Sequence, residues 1–203
     1  MSAYVVGITG SIATGKTNVT DALIKHGACV VDADVISRDL TKKSRLALFR
    51  ILLCFGPGVF SSLNPLHPAL NRKKLGEQVF SAEQKRLRLN RITHPMILRR
   101  CRRALKRAHA PVVFLSAPLL FECGMEKMCH EVWCTYVSED EQLRRLTARE
   151  GITEQDALLR IRSQMPALEK ANRAQFVIDT SGTRDQSARQ ALDRYQDLLK
   201  AHS

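Results

Sequence analysis

Gly10, Gly15, Lys16 and Thr17 stand in the order G-x-x-x-x-G-K-[ST] inside GITGSIATGKTN, residues 7–18. That order suits one kind of chemistry, the holding of a polyphosphate. The glycines let the backbone turn sharply and approach a ligand closely. Successive backbone N–H groups, here along Ser11, Ile12, Ala13 and Thr14, then form an anion-binding concavity. The Lys16 ammonium reaches the β- and γ-phosphates of a nucleoside triphosphate, and the Thr17 hydroxyl can ligate Mg2+. Such a loop needs a strand before it and a helix after it. Residues 4–9 are β-branched, apolar or small, and residues 19–25 have helical character, with a helix starting near Lys16 adding its positive end.

Two further groups of residues could complete the chemistry. Asp32 and Asp34 flank Ala33 at the end of the apolar run ACVVDAD, residues 28–34. Strand alternation predicts that both carboxylates project to one side. One could orient or deprotonate an attacking hydroxyl, or hold a metal-bound water; the alternative is an aspartate that caps the next helix. After the run PVVFLSA, residues 111–117, comes PLLFE, residues 118–122. Glu122 could there contact substrate or support the loop. The Walker-B aspartate that often helps hold Mg2+ is replaced by Ser116 and Ala117, so metal holding leans on Thr17, phosphate oxygens, water and Asp34.

The elements that position these residues follow from the hydrophobic pattern. Apolar runs at 3–9, 28–34, 111–117, 131–137 and 175–179 read as parallel strands buried on both faces. Their alternation with helical stretches predicts an α/β sheet with right-handed crossovers, whose ligands bind beyond the strands' C-terminal ends. Residues 35–110 contain no good strand, and read as a helical, basic insert with helices at 44–55, 71–80 and 82–108 and a loop at 56–68. Residues 139–173 form a second, charged excursion resembling a lid. Its Arg145 and Arg149 share a helix face, and with Arg160 and Arg162 could stabilise charge on a transferring phosphoryl group. The alternative is a surface helix salt-bridged through Glu139, Asp140, Glu141 and Glu150. His94 precedes Pro95, which disfavours helix at that point.

Composition narrows the classes of function. Of 203 residues, 44% are hydrophobic and 26% charged, ordinary for a globular enzyme. No apolar run reaches the length of a membrane span, and the N-terminus lacks the basic region of a signal peptide. Six cysteines without a C-x-x-C pair suit free thiols in a reducing cytosol, and the spacing of Cys123, Cys129, His130 and Cys134 is not that of a zinc knuckle. A net charge of +12 suits an anionic partner, nucleic acid or a polyphosphate substrate. Much of it lies on residues 98–109, whose pattern gives one buried helix face and arginines around the rest. Aromatics do not interleave with those arginines, which argues against stacking on nucleic-acid bases. The absence of N-K-x-D argues against a guanine-nucleotide switch. Another small P-loop kinase, acting on a nucleoside monophosphate or a small metabolite, shares the loop and the lid.

The blocks GITGSIATGKT, VVDADVISR (30–38), LNRKKLGEQVF (70–80), NRITHPMI (90–97), PLLFE (118–122), QLRRLTARE (142–150), RIRSQ (160–164) and FVIDTSG (176–182), in that order, resemble the dephospho-coenzyme A kinase family. The resemblance implies a P-loop kinase core with a five-stranded parallel sheet (1–34 and 111–203), a helical CoA-binding insert (35–110) and a helical lid (about 139–165). It implies transfer of a phosphoryl group from ATP, with Mg2+, to the ribose 3′-hydroxyl of dephospho-CoA, in the cytoplasm. Asp34 would act as base or orienter, Lys16 and the loop would bind ATP, and Arg145 and Arg149 would act from the lid. Asp32, His94 and the turn carrying Leu119 and Glu122 would line the acceptor side. The family loop usually reads G-G-I-G-S-G-K-S, so Ser11 and Ala13 stand here in place of two glycines. Ala174-Gln175 and Thr180-Ser181 differ from the family pattern around the fifth strand, where contacts to the nucleotide base, including any through Asp179, are not read from the sequence.

Overall fold

The computed structural model of the chain describes residues 3–64, 68–80 and 83–202. Positions 65–67 of the expected loop and position 82 of the expected third helix lie outside them. The chain divides into two compact units, Met1–Asp32 with Arg103–Ser203, and Ala33–Arg102.

The first unit is built on five parallel strands, β1 (Tyr4–Thr9), β2 (Cys29–Asp32), β5 (Val112–Ser116), β6 (Glu131–Tyr136) and β7 (Phe176–Asp179). They lie in the order β2-β5-β1-β6-β7. Strands β1, β5 and β6 are buried along nearly their whole length, whereas the edge strands β2 and β7 are not. That contrast is why the three central strands read as unbroken apolar runs. Ile8 and Asp32 each align with Ser116, so β1, β5 and β2 end level with one another.

Helices α1 (Lys16–Lys25) and α9 (Arg184–His202) cover one face of the sheet. Val19, Leu23, Ala191, Tyr195 and Leu198 from these helices join Val6, Ile8, Phe114 and Trp133 in one core cluster. Phe114 meets Trp133 and Tyr195 edge to face, with centroids 5.2 and 5.3 Å away. On the opposite face Gly7 leaves no room for a side chain, because an added Cβ would lie 2.8 Å from Leu120 Cδ1 and 2.9 Å from Cys129 Sγ. Helices α6 (Glu139–Glu150), α7 (Glu154–Arg162) and α8 (Ala167–Arg173) fill the stretch between β6 and β7. Ser138 and Thr153 cap the first two, accepting hydrogen bonds from the Glu141 and Asp156 N–H groups. Gly151, in the left-handed region at φ 63°, ends α6.

The second unit holds α2 (Ala33–Lys43), α3 (Arg45–Phe55), α4 (Arg72–Phe80) and most of α5 (Glu83–Arg107). Leu48, Ile51, Val59, Phe60 and Leu75 form its core. The Arg72 guanidinium ties α4 to α2 by donating to Arg38 O and Thr41 Oγ1.

Three expectations need correction here. The insert is not free of strands: β3 (Phe60–Ser62), in the segment read as loop, and β4 (Ala69–Leu70), just after it, form a short antiparallel pair. β2 stops at Asp32, and Ala33 already opens α2, so Asp34 lies in a helical first turn. Strand alternation therefore does not relate the two aspartates; a carboxylate in a first turn is favoured by the helix dipole. Finally, His94 is helical, because Pro95 sits inside α5. Pro95 is exposed, so water can reach the carbonyl that its missing N–H leaves unpaired.

Candidate active site

The phosphate loop leaves β1 at Thr9 and enters α1 at Lys16. Its shape follows from a few local demands. A Cβ on Gly10 would lie 2.0 Å from Thr135 Oγ1 and 2.5 Å from Thr14 Oγ1, so only glycine fits. The Thr14 N–H and hydroxyl both donate to Ser11 O, closing a tight turn, and the Thr14 and Thr135 hydroxyls are bonded at 2.8 Å. Gly15 turns the chain into α1 with φ 81° and Ala13 does so at the tip with φ 62°. No side chain caps α1 and no acidic residue occupies its first turn. Its leading N–H groups and positive dipole end thus face an anion site with no competing carboxylate from that turn.

Lys16 projects along the same end of the sheet. Its ammonium donates to the buried Ser116 hydroxyl at 2.7 Å. Ser116 aligns with Asp32 on the neighbouring strand. The loop lysine, the β5 terminus and the half-buried Asp32 carboxylate are therefore neighbours at one strand end. Thr17 is exposed beside them on the first turn of α1. A threonine hydroxyl and an aspartate are hard oxygen donors of the type Mg2+ accepts when phosphates and water supply the remaining ligands. The donor set fits that ion.

Arg145 is held rather than free. Its guanidinium donates to Glu141 Oε1 at 2.7 Å and to Thr180 O at 2.6 Å, and the Thr180 hydroxyl donates to Thr14 O in the phosphate loop. The guanidiniums of Arg144 and Arg145 hold the Glu141 carboxyl down to about 2. Arg149 and Arg160 both bind Glu150, and Arg162 binds Glu139. Beyond β6 and β7, Tyr136, Ser138, Arg144, Asp179 and Ser181 line a cavity. Asp179 accepts from the Ser181 N–H, which keeps its carboxyl below its ordinary value. Gln175 is remote from these strand ends: it joins the opposite end of β7 to β6, accepting from and donating to Val132.

Leu119 is 40% exposed in the turn after β5. Glu122, in the same turn, accepts from the Met165 N–H at 3.1 Å and pairs with Lys170 at 2.8 Å. In the second unit Asp34 is exposed and His94 half-buried, with burial lowering the imidazole pKa. Sequence reasoning missed Gln164, Thr135 and Lys170. Gln164 Oε1 accepts from the Ile12 N–H at 2.9 Å, and Met165 O accepts from the Ser11 hydroxyl at 2.9 Å. No pattern in the sequence signals those contacts.

A parallel five-stranded sheet with this loop after its first strand defines a P-loop kinase. The sequence profile of the dephospho-CoA kinases matches residues 4–186, and the chain belongs to that family. The dephospho-CoA kinase of Carboxydothermus hydrogenoformans is 39% identical over 191 residues, 93% of this chain and 91% of its own. A crystal structure from Thermus thermophilus matches with a TM-score of 0.84 at 31% identity, covering 98% of this chain and 99% of its own. The dephospho-CoA kinase from Campylobacter jejuni matches with a TM-score of 0.71 at 25% identity, covering 98% of each chain.

Proposed function

We propose that this chain transfers the γ-phosphoryl group of ATP to the ribose 3′-hydroxyl of dephospho-CoA, giving CoA and ADP in the last step of coenzyme A synthesis. The observation that carries the reading is the uncapped N-terminus of α1 under a glycine loop, with Lys16 and Asp32 at the same strand end, in a chain of this family. The loop N–H groups between Ser11 and Thr17, other than those of Ile12 and Thr14, which Gln164 Oε1 and Ser11 O already hold, cradle the phosphates, and Lys16 leaves Ser116 to follow charge onto the γ-phosphate. Thr17, with phosphate oxygens, would hold Mg2+, which would supply positive charge to offset that of the phosphates.

Asp34, two residues beyond Asp32, accepts the proton of the 3′-hydroxyl or orients it. The 3′-oxygen forms the new bond to phosphorus as the bond to the ADP oxygen breaks. In a loose transition state the attacking oxygen has little bonding to phosphorus, so its proton becomes acidic only late and orientation is the larger part of this role. Arg145, already tied to the loop through Thr180, stabilises the transferring group, and Arg149 joins it by exchanging Glu150 for phosphate. Asp32, His94 and Leu119 serve the acceptor side, and the insert 35–110 binds the CoA portion. The bonds Glu122 makes favour a supporting role for it. No helix among the described residues is long and apolar enough to cross a membrane. None of the six cysteines forms a disulfide, which suits the reducing cytoplasm.

The test is ADP release with ATP, Mg2+ and dephospho-CoA, with CoA and a 3′-deoxy analogue as controls. Turnover with dephospho-CoA alone, and CoA by mass, is the expected result. Lys16→Ala and Asp34→Asn should each lower kcat by about a hundredfold or more, the second with ATP affinity retained. Full activity in Asp34→Asn removes the role assigned to that carboxylate.

A further inference from the structure

Lys170 is the one lysine in the buried core among the described residues, with 0% exposure, and nothing in the reaction above uses it. Its ammonium donates to Pro118 O at 2.6 Å and pairs with Glu122 Oε1 at 2.8 Å. A charge withdrawn from water costs several kcal/mol unless paired and hydrogen-bonded, so a buried lysine calls for a reason. Its partners lead to the phosphate loop. Pro118 O also accepts from the hydroxyl of Thr9, the residue where β1 gives way to the loop. The same Glu122 oxygen accepts from the Met165 N–H, Met165 O accepts from the Ser11 hydroxyl, and Gln164 takes the Ile12 N–H. The loop is thus held on both sides of Gly10, and the next residue after Ile12, Ala13, keeps a left-handed φ of 62° that a relaxed loop would give up.

We infer that Lys170, Glu122 and Gln164 are positioning residues of the phosphoryl transfer: the Lys170–Glu122 pair fixes residues 164–165, and these hold the phosphate loop in its anion-binding shape before ATP arrives. The gain is preorganisation, because a loop ordered in advance loses less entropy on binding. The inference rests on the reading that the loop binds ATP, and is independent of which acceptor the enzyme uses. Glu122 then acts through Met165 and Ser11, and does not touch dephospho-CoA.

Titration calorimetry with Mg·ATP tests this without requiring turnover. Gln164→Ala should weaken ATP binding about tenfold, the equivalent of one lost, well-placed hydrogen bond. The KM for dephospho-CoA should stay within about twofold, since ground-state binding of the acceptor is untouched. Gln164→Glu keeps the acceptor but sets a negative charge by the phosphates, so ATP binding should fall further, and part of that fall should be relieved by salt. Lys170→Met should weaken ATP binding in the wild-type background and add little in Gln164→Ala, because its effect passes through residues 164–165. Glu169→Gln, on the same helix with its side chain 53% exposed, is the control and should leave binding unchanged. The inference is overturned if Gln164→Ala and Lys170→Met lower Tm but leave ATP affinity intact. It is overturned equally if Glu122→Gln raises the dephospho-CoA KM and not the ATP dissociation constant. If the wild type binds ATP yet phosphorylates no dephospho-CoA, only the acceptor assignment fails.

Discussion

Ala13 holds a conformation that costs an L-residue about 1–2 kcal/mol, at the tip of a loop where glycine would cost nothing. Its φ is 62°, and its side chain packs against the cluster of Leu146, Ala157 and Ile161. Strain and packing therefore oppose each other at one residue. Ala13→Gly removes the strain, loses one methyl contact and loosens the unfolded chain. The net expectation is a gain of about 0.5–1 kcal/mol, or about 1–4 °C in Tm for a chain of this size. ATP affinity should not improve, because the glycine also frees the unliganded loop. A scan showing a lower Tm would mean that the methyl contact outweighs the strain. At this scale the sequence was legible where one short stretch must supply a fixed order of residue types, as in Gly10, Gly15, Lys16 and Thr17. It was silent on Lys170 and Gln164, whose partners Pro118 and Ile12 lie 52 and 152 positions away. Only the fold brings such pairs together.

Helices α6 and α7 show how an element couples stability to the site. Leu146, Ala157 and Ile161 are buried between them, and Ile12 and Ala13 of the phosphate loop lie on the same cluster. Leu146→Ala should cost about 2–5 kcal/mol by cavity formation, measured by urea unfolding. It should also weaken ATP binding, since the loop tip loses part of its support. Reduced stability with unchanged ATP affinity would show that the tip does not depend on that packing. The strands and these two helices were legible because their burial repeats with a period of two or 3.6, or is continuous across a central strand. The hairpin β3–β4 was not, because strands of three and two residues carry too few positions for any period. Asp34 was misread for a related reason. The change from β2 to α2 at Ala33 has no glycine or proline to mark it, and strand alternation was carried two residues too far, to Asp34. Pro95 marked a boundary that the exposed face of α5 does not need.

For the molecule as a whole, a net charge of +12 must be reconciled with one small-molecule reaction. Both proposed substrates are polyphosphates, so a basic surface raises their local concentration and speeds their encounter with the site. The same charge, concentrated near the end of α5 on Arg99, Arg100, Arg102, Arg103, Lys106 and Arg107, would also suit nucleic acid. Salt separates the two. Steering acts over a screening length of about 10 Å at 0.1 M salt and about 3 Å at 1 M. If small-molecule steering is its role, kcat/KM for dephospho-CoA should fall by up to about tenfold between 50 and 500 mM potassium chloride. Chemistry inside the site is shielded by the protein, so kcat should change little. Replacing Arg99, Arg103 and Lys106 by glutamine should flatten the salt dependence of kcat/KM while leaving kcat and Tm near those of the parent. A nucleic-acid partner would give a different pattern. Binding to a short RNA would then be steeply salt-dependent and lost in the triple variant, and the salt dependence of dephospho-CoA turnover would be the same in the variant and the parent.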